Sequence, residues 1–481
     1  MHATKMQKHG GEMVAGKAKM FCSSLANRSE FRMHINSLNE LIVEITSSGL
    51  REDSLEVITH PMYEPVHCEF NPNPKFIPRD YQEPIIQYIL EDGKVKILDM
   101  QPGDGKTLCT LISMVNIGDR TAIVLPPKYI DQWVGQVTDP DNYLDLDPGD
   151  DILVIKGTRP LINLIALAKS GELTAKIIIM SSKSLYTYFK QYELYNGDMF
   201  LYHDIAPYDL WKTLEVGLRV VDEIHEDFHL NFKIDLYTHV PKSIGLSATL
   251  EPDDSFLDRM YQLAFPKYLR RNKGKFDKHV LVKSLFYGLG DNTGKDMIKY
   301  TNKVFRAYSH VRFEQTLMKN KKKLPKFLQL IKSVVDREYI ANFEPGRKTI
   351  VYAQTVDMCE VIVEYLKHEY PDKSVTKYTQ EDDYSELAIN DIIVSTLKSA
   401  GTAIDIKGLI STICTVAISS KQANIQLFGR LRPDKKLDFP PTLCHLVCKD
   451  IPKHINYIEK KKEYLPERSL NMIELETKII L

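Results

Sequence analysis

Between about residues 76 and 265 the chain alternates short apolar runs, rich in β-branched residues, with longer amphipathic stretches. Val95–Met100, Thr121–Leu125, Asp151–Ile155, Lys176–Met180, Leu218–Val221 and Ser243–Ser247 read as strands. Runs that are apolar on both faces and separated by helices predict a parallel sheet covered on both sides. The alternation resumes near Phe327. A helix through Val335 leads to strand Thr349–Tyr352, helix Val356–His368, strands Asp391–Val394 and Ile413–Ile418, a helix near Gln422–Leu431, and strand Leu443–Cys448. The expected fold class is α/β, with two tandem parallel-sheet domains.

The stretches outside these alternations set the expected boundaries. Residues 1–75 read as an N-terminal accessory segment. It is flexible over 1–20, strand-like at Glu40–Thr46 and Leu55–Thr59, and closed by the linker Asn71-Pro-Asn-Pro74. Domain 1 spans 76–265 and domain 2 spans 326–450. Residues 266–325 read as a basic connector carrying Leu269-Arg-Arg-Asn-Lys-Gly-Lys275 and Lys319-Asn-Lys-Lys-Lys-Leu-Pro-Lys326. Such runs are either a solvated face or a contact for a phosphate backbone. Residues 451–481 read as a short helical tail.

Composition narrows the picture without deciding it. The 481 residues are 43% hydrophobic and 26% charged, ordinary for a globular chain. The net charge of −1 gives no global attraction for nucleic acid, so any such site is a local groove. Seven scattered cysteines suit a reducing, cytoplasmic location. Cys444-His445-Leu-Val-Cys448 invites a metal reading, but no second ligand pair follows, and the apolar residues inside it favour a buried strand. No apolar run reaches membrane-spanning length. The Lys-, Gly- and Met-rich start lacks the apolar core of a secretory signal.

Two segments of domain 1 carry the chemistry. Met100-Gln-Pro-Gly-Asp-Gly-Lys-Thr107 lies between a predicted strand and a predicted helix. Gly103 and Gly105 let the backbone curl so that N–H groups converge on phosphate oxygens at a helix start. Lys106 can reach the β- and γ-phosphates, and the Thr107 hydroxyl can ligate Mg²⁺. Gly103, Asp104, Gly105, Lys106, Thr107 and Leu108 are the expected ATP contacts. A departure is Met100, where the general phosphate-loop pattern begins with Gly. The second segment, Asp222-Glu-Ile-His225, follows a predicted strand. Asp222 is placed to hold Mg²⁺ through water, and Glu223 to orient the attacking water. Domain 2 has no phosphate loop, so its expected contribution is charge. Gln426-Leu-Phe-Gly-Arg-Leu-Arg432 supplies Arg430, an arginine able to neutralise a departing γ-phosphate.

Taken in order, these segments resemble the motifs of superfamily 2 helicases over most of residues 76–435. Arg79-Asp-Tyr-Gln82 resembles the adenine-recognising Gln motif, and Met100–Thr107 resembles motif I. Ala122–Trp133 resembles motif Ia, Ile179–Leu185 motif Ib, Asp222–His225 motif II in its DExH form, and Ser247-Ala-Thr249 motif III. Ile350–Thr355 resembles motif IV, Ser395–Asp405 motif V, and Gln426–Arg432 motif VI. The resemblance implies two RecA-like lobes. It further implies ATP contacts from Arg79, Gln82, Gly401 and Asp405, and coupling of water activation to the opposite lobe through His225 and Gln426. Ser247 and Thr249 would link lobe motion to the site, and Lys128, Ser182, Gln354 and Thr396 would contact the nucleic-acid backbone. Motif VI departs from its usual spacing. Pro433 stands where a second arginine is expected, and Arg432 lies one place early, which on a helix turns the side chain by about 100°.

Gln-Trp133 and the small N-terminal segment resemble phage branch-migration helicases of the UvsW type, with XPB-like and RecG-like cousins. The implied partner is branched or partly single-stranded DNA, acted on in replication, recombination or repair. A DExH-type RNA helicase, a duplex translocase and a nucleic-acid-binding subunit that does not hydrolyse ATP are the alternatives. No feature identifies a protein partner.

Overall fold

The computed structural model describes residues 2–9, 12–19, 22–49, 58, 60–101, 103–198, 205–248, 250, 255–272, 274, 278–294, 297–302, 306–379, 382, 385–400, 406–434 and 437–481. The chain divides into two compact units. The first comprises Met1–Gln7 and Met13–Lys273, the second Lys8–Glu12 and Gly274–Leu481.

The sheet of the first unit has seven strands: β1 (Val95–Asp99), β2 (Thr121–Leu125), β3 (Ile152–Ile155), β4 (Ile177–Ser181), β5 (Leu218–Val221), β6 (Lys242–Ser247) and β7 (Arg270–Arg271). Their order is β7-β1-β6-β5-β2-β4-β3, and the pairings are parallel. Ala122–Leu125 and Ile177–Met180 are fully buried. That is the burial expected of parallel strands with helices on both faces. Register places Ser247 opposite Asp99 and Gly245 opposite Val221. The C-terminal ends of β1, β5 and β6 therefore meet at one edge of the sheet.

The second unit repeats the plan with β8 (Leu281–Gly288), β9 (Lys348–Ala353), β10 (Val375–Tyr378), β11 (Ile392–Thr396), β12 (Leu409–Cys414), β13 (Thr442–Cys448) and β14 (Asn471–Ile480). The order is β10-β11-β9-β12-β13-β8-β14, again parallel.

Four expectations change. The stretch 266–325 is more than a connector: it supplies edge strand β7 and strand β8, which lies between β13 and β14. Two lysines of its second basic run bond to the fold's own carbonyls, Lys323 from a buried position and Lys326 from the surface. Lys323 Nζ donates to Leu289 O at 2.8 Å and Asp291 O at 2.7 Å, and Lys326 Nζ to Ile480 O at 3.0 Å. The expected helical tail begins as helix Pro452–Lys462 but ends as β14. In β14 the charged Glu474, Glu476 and Lys478 alternate with more buried neighbours, the pattern of an edge strand. Glu40–Thr46 belongs to helix Leu38–Ser47, since its less exposed positions, Leu41, Ile42 and Ile45, have helical spacing. Residues 1–20 include strands His2–His9 and Glu12–Lys19, which pair with each other. The predicted strand Leu55–Thr59 lies outside the described residues except for Ile58.

Cys444, His445 and Cys448 sit in β13, a strand buried along its whole length. Burial drives the Cys444 thiol up, the Cys448 thiol to about 12, and the His445 imidazole well below its ordinary value. Among the described residues no group of His, Cys, Asp and Glu is arranged to hold a metal, and no helix is long and apolar enough to cross a membrane.

Candidate nucleotide site

The loop after β1 is fixed from both sides. Met100 N donates to Ser247 O at 3.0 Å, tying the loop to the end of β6. Gln101 N donates to Asp104 Oδ2 at 3.1 Å, which closes the turn on itself. Gly103 and Gly105 have φ values of 96° and 81°, a region open mainly to glycine. Helix α1 (Lys106–Ile117) then begins directly at Lys106. The Lys106 amine donates to Met100 O at 3.0 Å, so it lies over the mouth of the loop. Gln82 is buried beneath: Nε2 donates to Asp104 O at 3.1 Å, and Oε1 accepts from Arg79 N at 2.9 Å. Tyr81 also donates to Asp104 O, at 3.2 Å. A Cβ on Gly105 would stand 2.1 Å from Gln82 Nε2.

The acidic loop after β5 lies at the same sheet edge. Asp222 Oδ1 accepts from Glu223 N at 2.9 Å, and Asp222 Oδ2 accepts from Trp133 Nε1 at 2.7 Å. Burial, then the neighbouring Glu223, raise the Asp222 carboxyl above its ordinary value; the Trp133 hydrogen bond and Lys106 pull the other way. Glu223 is buried and holds a left-handed backbone, φ 48°. His225 Nδ1 lies 2.7 Å from Ser247 Oγ and 3.3 Å from Glu223 Oε2. Burial pushes His225 down to about 3. The ring is therefore neutral at working pH, and its contact with Glu223 is between a carboxylate and an uncharged imidazole. The far end of the loop is held as well: Lys128 Nζ donates to Glu226 Oε1 at 2.7 Å and the Tyr129 hydroxyl at 3.0 Å.

These residues fit a triphosphate and a divalent cation. The glycine turn opens at a helix start, one lysine is placed over it, and the buried Asp222 carboxyl, raised by burial, lies where added positive charge would favour its ionised form. Thr107 and Leu108 come after Lys106 in the first turn of α1 and are partly exposed.

In the second unit, helix α2 (Lys421–Phe428) is capped by Ser420, whose hydroxyl accepts from Ala423 N at 3.3 Å. Gln426 is partly exposed on it. Arg430 and Arg432 lie beyond the helix end, so helical spacing does not relate them. Arg430 is 5% exposed, close enough to Tyr352 to oppose the rise in that phenol's pKa. Gln354 is half-buried, and Gln354 N donates to Glu314 Oε1 at 2.8 Å. Thr355 N and Oγ1 donate to Glu314 Oε2 at 2.8 and 2.7 Å. Thr396 is buried, with Oγ1 2.8 Å from Ser399 Oγ. In the first unit, Ser182 is also buried at the start of its helix. Gly401, Asp405 and Thr249 fall outside the described residues.

The sequence named Trp133, Tyr129 and Glu226 no partners, although Trp133 and Tyr129 lie within the segment resembling motif Ia. Glu314 had no signal at all, because it sits in the stretch read as connector.

No protein-family model matches the chain, and no curated protein sequence does. Solved structures do share its fold. A Saccharomyces cerevisiae Dbp5 variant bound to Gle1 and IP6 aligns with a TM-score of 0.51 at 14% identity, over 84% of this chain and 90% of that one. Mss116p bound to ssRNA and AMP-PNP aligns with a TM-score of 0.52 at 14% identity, over 96% and 83%. A fragment of a putative HsdR subunit of a type I restriction enzyme from Vibrio vulnificus aligns with a TM-score of 0.52 at 15% identity, over 90% and 72%. The two sheets are thus two tandem RecA-like α/β domains.

Proposed function

We propose that this protein is an ATP-dependent nucleic-acid motor, a helicase or translocase, whose substrate is branched or partly single-stranded DNA. The observation that carries the reading is the meeting of the Gly103–Thr107 loop, Asp222 and Glu223 at adjoining strand ends, with Lys106 close enough to influence Asp222. Lys106 and the loop N–H groups bind the phosphates. Thr107 and Asp222 hold Mg²⁺, which when bound supplies positive charge against the phosphate oxygens. Glu223 orients water; in the resting loop its carboxylate lies 3.3 Å from neutral His225, whose Nδ1 is 2.7 Å from Ser247 Oγ. Arg430 is the second domain's candidate charge for phosphoryl transfer, and Gln426 its candidate coupling residue. Arg79 and Gln82 shape the base end of the nucleotide site. Strand contacts are assigned chiefly to Lys128 and Gln354, the more exposed members of the set, and only secondarily to the buried Ser182 and Thr396.

RNA is the second reading, favoured by fold neighbours solved with RNA or ssRNA. The test is ATP hydrolysis with junction DNA, duplex DNA and single-stranded RNA in parallel. Stimulation is expected, strongest with junction DNA, and lost in Lys106→Ala and Glu223→Gln. Hydrolysis persisting in either variant overturns the site assignment; a larger response to RNA overturns the DNA reading.

A further inference from the structure

The loop Asp222–Glu226 is gripped at both ends by one element, the turn Pro127–Tyr129 with helix α3 (Ile130–Thr138) that comes after β2. Trp133 holds the Asp222 carboxylate, and Lys128 and Tyr129 hold the Glu226 carboxylate. Between the two grips lies Glu223, in a left-handed backbone that a non-glycine residue adopts only under constraint. In this arrangement the Glu223 carboxylate faces His225, 3.3 Å away, and is almost wholly buried. The Lys128 and Glu226 side chains are 37% and 18% exposed, so the pair is reachable from solvent. Lys128 also packs over the Tyr129 ring, 4.6 Å from its centroid.

Resting on the motor reading above, we propose that Glu226 is a positioning residue that occupies Lys128 as a nucleic-acid phosphate does. A phosphodiester arriving at Lys128 displaces the Glu226 carboxylate. One grip on the strained loop is then released, and Glu223 is free to leave His225 and face the nucleotide. Binding of the strand and alignment of the hydrolytic carboxylate are thereby linked within a single domain, through one ion pair of the kind phosphate oxygens readily replace.

The test uses the full-length protein with three forms: wild type, Glu226→Gln and Lys128→Gln. Steady-state ATP hydrolysis is measured without nucleic acid and with saturating single-stranded oligonucleotide. Binding of the same fluorescent oligonucleotide is measured by anisotropy. Both variants break the pair, so both should raise the unstimulated rate by about two- to fivefold, the range a partly exposed ion pair commands. Their effects on binding should oppose each other. Glu226→Gln removes the carboxylate that competes with phosphate for Lys128 and tightens binding by a similar factor, whereas Lys128→Gln weakens it. A merely structural Glu226 would lower activity and binding together in both variants, and that result overturns the proposal. So does an unchanged ratio of stimulated to unstimulated rate in Glu226→Gln. If wild type neither binds the oligonucleotide nor responds to any nucleic acid, the motor reading itself falls.

Discussion

Lys461 offers a sharp test of the energetics of the second unit. It lies on helix Pro452–Lys462, is 2% exposed, and its Nζ is 3.2 Å from His445 Nδ1 in β13. A lysine ammonium only donates, so His445 Nδ1 accepts and its ring is neutral. Burial lowers Lys461 from 10.5 to about 8. Between those values the unfolded chain binds a proton that the native chain has lost, so stability rises with pH across that window. The shift corresponds to about 3 kcal/mol, all of it opposing folding below the native pKa. Lys461→Met removes this penalty and strands His445 Nδ1 at a cost of about 1–2 kcal/mol. The variant should be more stable than wild type by about 1–2 kcal/mol at neutral pH and less stable by a similar amount near pH 10.5. Both tryptophans, Trp133 and Trp211, belong to the first unit, so fluorescence does not report this change. Hydrogen exchange of the β13 amides, measured at both pH values, does. A variant less stable at neutral pH, or a difference that ignores pH, refutes the assignment of a buried charged lysine.

Two further substitutions probe the loops. Gly105→Ala forces a side chain into φ 81° and drives its Cβ onto Gln82, at a combined cost of about 2–3 kcal/mol. A titration with a fluorescent ATP analogue should show binding weakened by at least about tenfold, a factor that 1.4 kcal/mol supplies; unchanged affinity would separate this loop from nucleotide binding. Glu314→Ala leaves Gln354 N, Thr355 N and Thr355 Oγ1 without their acceptor, and should destabilise the second unit by about 3 kcal/mol in denaturant unfolding monitored by hydrogen exchange. Glu314→Gln, which keeps one accepting oxygen, should recover part of that loss.

The range of the interactions involved decides which elements the sequence disclosed and which it hid. Strands such as Thr121–Leu125 and Ile177–Ser181 were legible because a strand buried on both faces reads as a nearly continuous apolar run. The phosphate loop was legible because its glycines answer to local backbone geometry. Strand β8 was not, because Leu281–Gly288 mixes Lys283 and Ser284 into the run, and those residues are acceptable only through tertiary partners. Lys283 reaches Glu338 at 2.9 Å, while Arg337 also donates to Glu338 at 2.6 Å. Strand β14 was hidden for the opposite reason: an edge strand keeps its charges outside, and Glu476 pairs with Lys449 at 2.8 Å. The grip of Trp133 on Asp222 joins residues far apart in sequence, and only the pairing of β2 with β5 brings them together.

The cost of the acidic loop argues for its role. Elsewhere in the first unit buried charges are well compensated. Arg120 donates to the carbonyls of Leu173, Ala175 and Leu214, and Arg219 to Ser243, Thr238 and Asp235, whose carboxyl this ion pair holds well below the usual range despite burial. Between Asp222 and Asp227 the opposite holds. One buried carboxyl is raised by desolvation and by a second acid beside it, a buried imidazole is driven far below its ordinary value, and Glu223 and Asp227 both take left-handed backbones. Lys461 shows that a single buried charge with one neutral acceptor can be tolerated. Here the perturbations are several and adjacent; a cation would favour the charged form of Asp222, and a displaced loop would relax the left-handed backbones. A first unit that elsewhere pairs its buried charges, yet keeps this cluster strained beside a glycine turn and a lysine, has the features expected of a functional site rather than of a packing solution.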